Sequence, residues 1–222
     1  MVIFGAGLLH DIPLRELAGM FREVILVDLV FPWSSRLSAA HFRNVRCLAA
    51  DVTATIHTLA QAARDPTRPL PVSEPSRFLQ EAALDLTVSV NLLTQLPVIP
   101  RRYLQRVQRD EPSLDAWSRH LQSAHLDYLR RLSGRKVLIT DTGGLRRDRT
   151  GAIVEQWDNL HGLELPPADL HWEWNLAPAP EADPDLDHLV AVAGYSDWSV
   201  RSGVDGPGDR SQPAARNGPC VP

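Results

Sequence analysis

Short apolar runs that stop abruptly at a glycine or at an acidic or amide side chain recur along the chain. Val2-Ile3-Phe4 stops at Gly5, Val24 to Val27 at Asp28, and the segment from Asn44 to Ala50 at Asp51. Leu84 to Val90 stops at Asn91, and Val137 to Thr140 at Asp141. The runs at 2–4, 24–27 and 137–140 predict buried strands, and the segments 44–50 and 84–90 predict two further strands. Between them the apolar positions return at helical spacing. Leu14, Leu17, Ala18 and Phe21 predict a first helix, with Asp11 as its N-cap and Pro13 in its first turn. Trp33 to Phe42 predicts a second helix and Thr55 to Ala63 a third. Residues 65–71, with Pro75 just beyond, break all periodicity and predict a surface connection. Leu92 to Leu96 predicts a helical turn that Pro97 and Pro100 interrupt. Leu114, Trp117, Leu121, Ala124, Tyr128 and Leu132 give one face of a long helix, which Gly134 stops.

Five strands alternating with helices predict an α/β fold with a doubly wound, mostly parallel sheet. The last third differs. Leu170 to Leu176 alternates with period two, and His188 to Tyr195 is a further apolar run. These predict two more strands, paired antiparallel and joined by a Pro-rich loop. Beyond Trp198 there is no Leu, Ile or aromatic residue, and Gly, Pro, Arg and Asp dominate. One domain over residues 1–198 and a disordered tail over 199–222 are therefore expected.

Composition narrows the function classes. The 222 residues are 44% hydrophobic and 23% charged, ordinary for a globular domain. A net charge of -4 argues against a nucleic-acid surface. No apolar run is long enough for a membrane helix, and no secretory signal opens the chain. Cys47 and Cys220 cannot make a disulfide framework or a Cys-rich zinc site. A cytoplasmic, soluble protein without a membrane partner is the expectation. Lys136 is the only lysine among 23 basic residues, so lysine chemistry is nearly absent.

In open parallel sheets, ligands bind beyond the carboxyl ends of the strands. Gly5, Gly7, Asp28, Asp51 and Asn91 all fall there. Gly5 and Gly7 let the backbone turn tightly and approach a ligand. A carboxylate ending the second strand can accept both hydroxyls of an adenosine ribose, and one after the third can accept from an adenine amino group. Asn91 can offer its amide and backbone to the far end of such a ligand.

This set resembles the class I S-adenosylmethionine-dependent methyltransferases. The resemblance is carried by Val2-Ile3-Phe4-Gly5-Ala6-Gly7, Val27-Asp28, Ala50-Asp51-Val52 and Asp85 to Leu93, and it spans roughly residues 1–198. It implies a Rossmann-like, seven-stranded sheet with an antiparallel last strand, S-adenosylmethionine as cofactor and a small-molecule methyl acceptor. It places Gly5 and Gly7 at the methionine end, Asp28 at the ribose, Asp51 at the adenine and Asn91 toward the acceptor. The chain departs from the family's pattern at four points, one being that no Asn-Pro-Pro-Tyr-type motif of amino-methylating enzymes occurs. Ile3 stands where a carboxylate is usual, Leu9 stands where a third Gly is common, and no helix precedes the first strand. His10 and Asp11 are candidates for the missing polarity, and the missing helix fits a truncated or misplaced start.

Two other functions remain open. A nicotinamide-dependent oxidoreductase would also use the Gly5-x-Gly7 turn and Asp28, but His10 occupies the third fingerprint glycine and no Tyr-x-x-x-Lys pair exists. A non-catalytic relative that has lost the cofactor would explain Ile3 and Leu9. Neither Gly-x-Ser-x-Gly nor a P-loop occurs. The histidines predict no metal site: His120 and His125 are off the face-sharing spacing, although His171 and His188 on the late strands could meet. Arg101, Arg102, Arg106 and Arg109 read as a solvated helix face. Trp172 and Trp174 read as one packed layer, with Trp157 and Trp198 in the core or at its rim.

Overall fold

A computed structural model describes residues 1–65, 68–107 and 110–199. The five apolar runs form β1 (Val2–Phe4), β2 (Val24–Asp28), β3 (Val45–Ala49), β4 (Leu86–Val90) and β5 (Arg135–Asp148). Three strands follow: β6 (Ile153–Asp158), β7 (Leu170–Ala177) and β8 (Leu186–Tyr195). All eight lie in one mixed sheet of order β3-β2-β1-β4-β5-β8-β7, with β6 paired to β5. The pairs from β3 across to β5 are parallel, whereas β5–β6, β5–β8 and β7–β8 are antiparallel. The fold is therefore α/β with a mostly parallel sheet and antiparallel pairs at one side. The sheet has one strand more than the seven expected, because β6 is added.

Alternation along the central strands sends side chains to two cores. Val2, Phe4, Ile25 and Val27 pack with Leu126, Leu129 and Trp198 on one face. Met1, Ile3, Val24 and Leu26 pack with Leu14, Phe31 and Ala39 on the other. Burying both faces is what a parallel sheet requires, and it explains the unbroken apolar runs. Helices α1 (Leu14–Met20), α2 (Trp33–Ala40), α3 (Ile56–Arg64), α4 (Val98–Arg106) and α5 (Glu111–Arg131) supply the covering layers.

Several boundaries differ from expectation, each for a local reason. Asp11 does not cap α1. The helix starts at Leu14 after Pro13, without a side-chain cap, and the Asp11 carboxylate turns to the Asn91 amide at 3.0 Å. Pro97 and Pro100 do not interrupt a helix. Residues Leu93–Gln95 form a single 3-10 turn, and α4 begins directly after Pro97. Pro100 lies in its first turn, where a missing N–H costs no helical hydrogen bond. The long helix starts at Glu111, capped by Asp110 accepting from the Ser113 amide at 2.9 Å.

The strand β5 does not end at Thr140. It continues to Asp148, and its outer half carries β6 on one edge and β8 on the other. The register with β8 slips between Asp141 and Gly143, so Thr142 is the extra residue of a β-bulge. His171 and His188 do not meet. They pair with Ala193 and Ala177 at opposite ends of the β7–β8 ladder, and His188 instead packs against the Trp157 ring. Trp198 is fully buried and donates to the Leu126 carbonyl at 3.2 Å. Among the described residues no helix is long and apolar enough to cross a membrane. The expected tail and Cys220 lie outside the described residues, apart from Ser199.

Candidate functional site

The loops leaving β1, β2, β3 and β4 meet at one edge of the sheet, and the expected site residues meet with them. Gly5 takes φ +83°, and a Cβ there would strike the Val90 carbonyl oxygen. The turn after β1 thus lies against the end of β4 with no room for a side chain. Gly7 donates its amide to Asp28 Oδ2 at 2.8 Å. A Cβ on Gly7 would stand 2.9 Å from that oxygen. The Ser35 hydroxyl donates to the Gly7 carbonyl at 2.7 Å. The glycine loop is thereby tied on one side to β2 and on the other to α2.

The two strand-end carboxylates are held by their own loops. Asp28 Oδ1 accepts from the Leu29 amide at 2.7 Å. Asp51 Oδ1 accepts from the Thr53 amide and hydroxyl at 2.8 and 2.6 Å, and its Oδ2 accepts from the Ile56 amide at 2.9 Å. Asp51 therefore organises the start of α3 as well as facing the cleft. A carboxylate has about four acceptor positions in all, so both residues keep capacity for an outside donor. Asn91 takes φ +48°, a left-handed conformation that asparagine tolerates. Its amide reaches Asp11 across the mouth of the glycine loop. His10 is exposed on the same loop.

Three connected cavities follow this edge. The first, of about 480 Å³, has Asp28 and Asp51 at its rim and Ile56, Leu59, Ile99 and Tyr103 as walls. The second, of about 510 Å³, lies over the glycine loop and is lined by Gly5, Gly7, His10, Asp11, Asp28 and Asn91. The third, of about 310 Å³, opens between Asp11, Asn91, Asp141, Asn159 and Trp174. Asp28 joins the first two, and Asn91 joins the last two. Among the described residues no arginine or lysine lines any of these three. A fourth cavity, of about 410 Å³, lies past Asp51 beside Arg77 and Tyr128. It shares Ala50, Asp51 and Val52 with the first cavity, so it adjoins the cleft on the side away from the glycine loop and brings Arg77 to that end.

All six expected residues, Gly5, Gly7, His10, Asp28, Asp51 and Asn91, are thus brought to one cleft. Ile3 is not part of it: its side chain lies in the apolar core beneath α1 and α2. Leu9 adopts φ +61°. A leucine therefore holds the left-handed backbone at the position where a glycine would be free of strain. Sequence reasoning missed Thr94, Gln95, Asp141, Asn159 and Trp174 as cleft residues. Asp141 carried the one usable signal, an acidic residue ending an apolar run. Among the described residues no cluster of histidine, cysteine or carboxylate groups could hold a metal ion.

No protein-family model matches this sequence, and no curated protein matches it.

Proposed function

We propose that this protein is an S-adenosylmethionine-dependent methyltransferase acting on a small-molecule acceptor. The reading rests on one observation above others: three adjoining cavities rimmed by Asp28, Asp51 and Asp11, with no arginine or lysine among the described residues that line them. The strand order from β3 to β5, with antiparallel β8 set between β5 and β7, supports a Rossmann-like sheet of seven strands to which β6 is added.

The donor set fits the cofactor piece by piece. The apolar recess beside Asp51 suits an adenine ring. Asp28 stands at the junction of two cavities, where a carboxylate can accept from ribose hydroxyls. The glycine loop, His10 and Asn91 face the amino-acid end. The cofactor supplies an electrophilic methyl on a sulfonium, so the protein's task is to bind, align and exclude water. Asp28 keeps the Gly7 loop at the right height. Asn91 and Asp11 close the other side. Acidic groups around a sulfonium are electrostatically favourable.

The same observation weakens the nicotinamide reading. A dinucleotide needs donors for its diphosphate, commonly from the N-terminus of the helix that follows the glycine turn. Here residues 5–13 separate β1 from α1, the helix has seven residues, and among the described residues no arginine or lysine lines the cavity over the glycine loop.

Calorimetric titration with S-adenosylhomocysteine and with NAD tests the proposal. S-adenosylhomocysteine binds and NAD does not. Asp28→Ala weakens S-adenosylhomocysteine at least ten-fold, or about 1.4 kcal/mol. Unchanged affinity in a folded Asp28→Ala variant removes the ribose assignment. No binding by the wild type favours the non-catalytic alternative, in which the same cleft serves a partner or regulator.

A further inference from the structure

The third cavity has walls of two kinds. One side is apolar: Trp174 and Leu176 from β7 face it, with Val190 and Val192 from β8 behind them. Trp174 is 38% and Leu176 46% exposed, an apolar lining open to solvent. The other side is polar and anionic, formed by Asp141, Asn159, Thr94, Asn91 and Asp11.

Asp141 is the residue this architecture presents most deliberately. It sits at the bulge where β5 loses register with β8, and bulges re-aim side chains beside functional sites. Its two oxygens are oriented by separate elements. The Thr94 hydroxyl donates to Oδ1, and the Asn159 amide donates to Oδ2 at 2.6 Å. One acceptor position per oxygen remains. Among the described residues no arginine, lysine or histidine lines this cavity, and His10 lies beside Asp11 only in the adjoining one.

We propose that this cavity binds the methyl acceptor and that the acceptor is an aromatic or otherwise flat apolar molecule carrying a cationic amine. This rests on the methyl-transfer reading above. Asp141 and Asp11 take the ammonium group, and Trp174 covers the apolar body. A protonated nitrogen has no lone pair to accept a methyl group. The ammonium is therefore the handle; the accepting atom is a nucleophile elsewhere on the molecule, which would take the methyl as the S–CH3 bond breaks and S-adenosylhomocysteine leaves, and release its proton to solvent. Carboxylic acids and phosphates are refused, because the cavity would set their charge against two carboxylates with no counter-ion.

Three probes of one skeleton test this in the full-length protein: tryptamine, its neutral alcohol tryptophol, and the anionic indole-3-acetate. S-adenosylhomocysteine affinity is measured first, and the probes are then titrated with and without it. Tryptamine binds at least ten-fold tighter than tryptophol, and indole-3-acetate binds weakest. Asp141→Asn lowers tryptamine affinity ten-fold or more while tryptophol changes less than two-fold. Indole-3-acetate binding as tightly as tryptamine, or no saturable tryptamine binding in the millimolar range, overturns the proposal. The wild-type series decides the matter even if Asp141→Asn misfolds. Tryptamine selectivity without S-adenosylhomocysteine binding would keep the amine site and sink the methyl-transfer reading. The reverse result would sink the amine site alone.

Discussion

His125 lies on α5 packed against Ser89 of β4 and Phe4 of β1, and its protonation would put a charge where nothing can receive it. The ring is 1% exposed. Its Nε2 is 2.9 Å from the Ser89 hydroxyl, while Nδ1 is buried without a hydrogen-bond partner. Phe4 stands edge-on to it at 6.1 Å, and Tyr128 tilts against it at 6.2 Å. Burial alone pushes its pKa from 6.5 to about 4. The unfolded chain therefore binds a proton that the folded chain refuses between those limits. Stability is fully present above pH 6.5 and is lost as pH falls toward 4. At 1.36 kcal/mol per pH unit the whole loss is about 3 kcal/mol, and about 2 kcal/mol has gone by pH 5.

Urea unfolding at pH 7.5 and pH 5, on wild type and His125→Gln, isolates that contribution. The wild type loses about 2 kcal/mol more than the variant between the two conditions. Carboxylates that titrate nearby in pH act on both proteins alike and cancel. The site is affected too, because Phe4 immediately precedes Gly5 and Ser89 lies two residues before Asn91. S-adenosylhomocysteine affinity, by the proposed function, falls alongside stability below pH 5.5. Equal losses in wild type and His125→Gln would refute the reasoning: the ring would then have found water or an acceptor for Nδ1.

Other substitutions separate the roles of particular residues by thermal and urea unfolding. Gly5→Ala is expected to be severely destabilising, by about 1–2 kcal/mol from its left-handed backbone alone and more from the Val90 carbonyl in its way. Gly19→Ala has the opposite sign. That glycine is inside α1 with nothing within 4 Å of an added Cβ, so the change stabilises by about 0.5–1 kcal/mol. Trp198→Ala removes a side chain buried between α5 and β8, where Tyr195 meets it at 5.0 Å. It costs about 3–5 kcal/mol, and a loss under 1 kcal/mol would show that the domain does not need its last described turn.

The parallel half of the sheet was legible because burial on both faces leaves a local mark. Val2–Phe4 and Val24–Val27 need no partner to announce themselves, and their ends place Gly5 and Asp28. The antiparallel half was only partly legible. Gly143 and Gly144 look like a stop after Thr140, yet both are needed where they are. A Cβ on Gly143 would stand 2.8 Å from the Trp157 carbonyl, and one on Gly144 would run into the Trp157 ring. The reason for these glycines lies on β6, which sequence distance hides. Asp141 was consequently read as one more strand end, not as a residue at a bulge inside a long strand. Asp11 failed differently. Its preference for a helix N-cap was overridden by a partner 80 residues away, a tertiary contact that local propensity does not encode.

Backbone strain marks the same edge of the molecule that the side chains mark. Among the described residues five non-glycine positions have positive φ, and Leu9, Ala54 and Asn91 belong to loops leaving β1, β3 and β4. Together with Gly5 at φ +83°, they are gathered at the carboxyl ends of the parallel strands. Left-handed backbone costs a leucine or alanine roughly 1–2 kcal/mol each, and it persists only where the surroundings over-determine it. The ties that do so are on the cleft itself: Gly7 to Asp28, Asp51 to the Thr53 and Ile56 amides, and Asn91 to Asp11. A loop held at a fixed height over the sheet is what alignment of two reactants requires. Under the proposed function, Leu9, Ala54 and Asn91 would bear that cost where cofactor and acceptor are held in register.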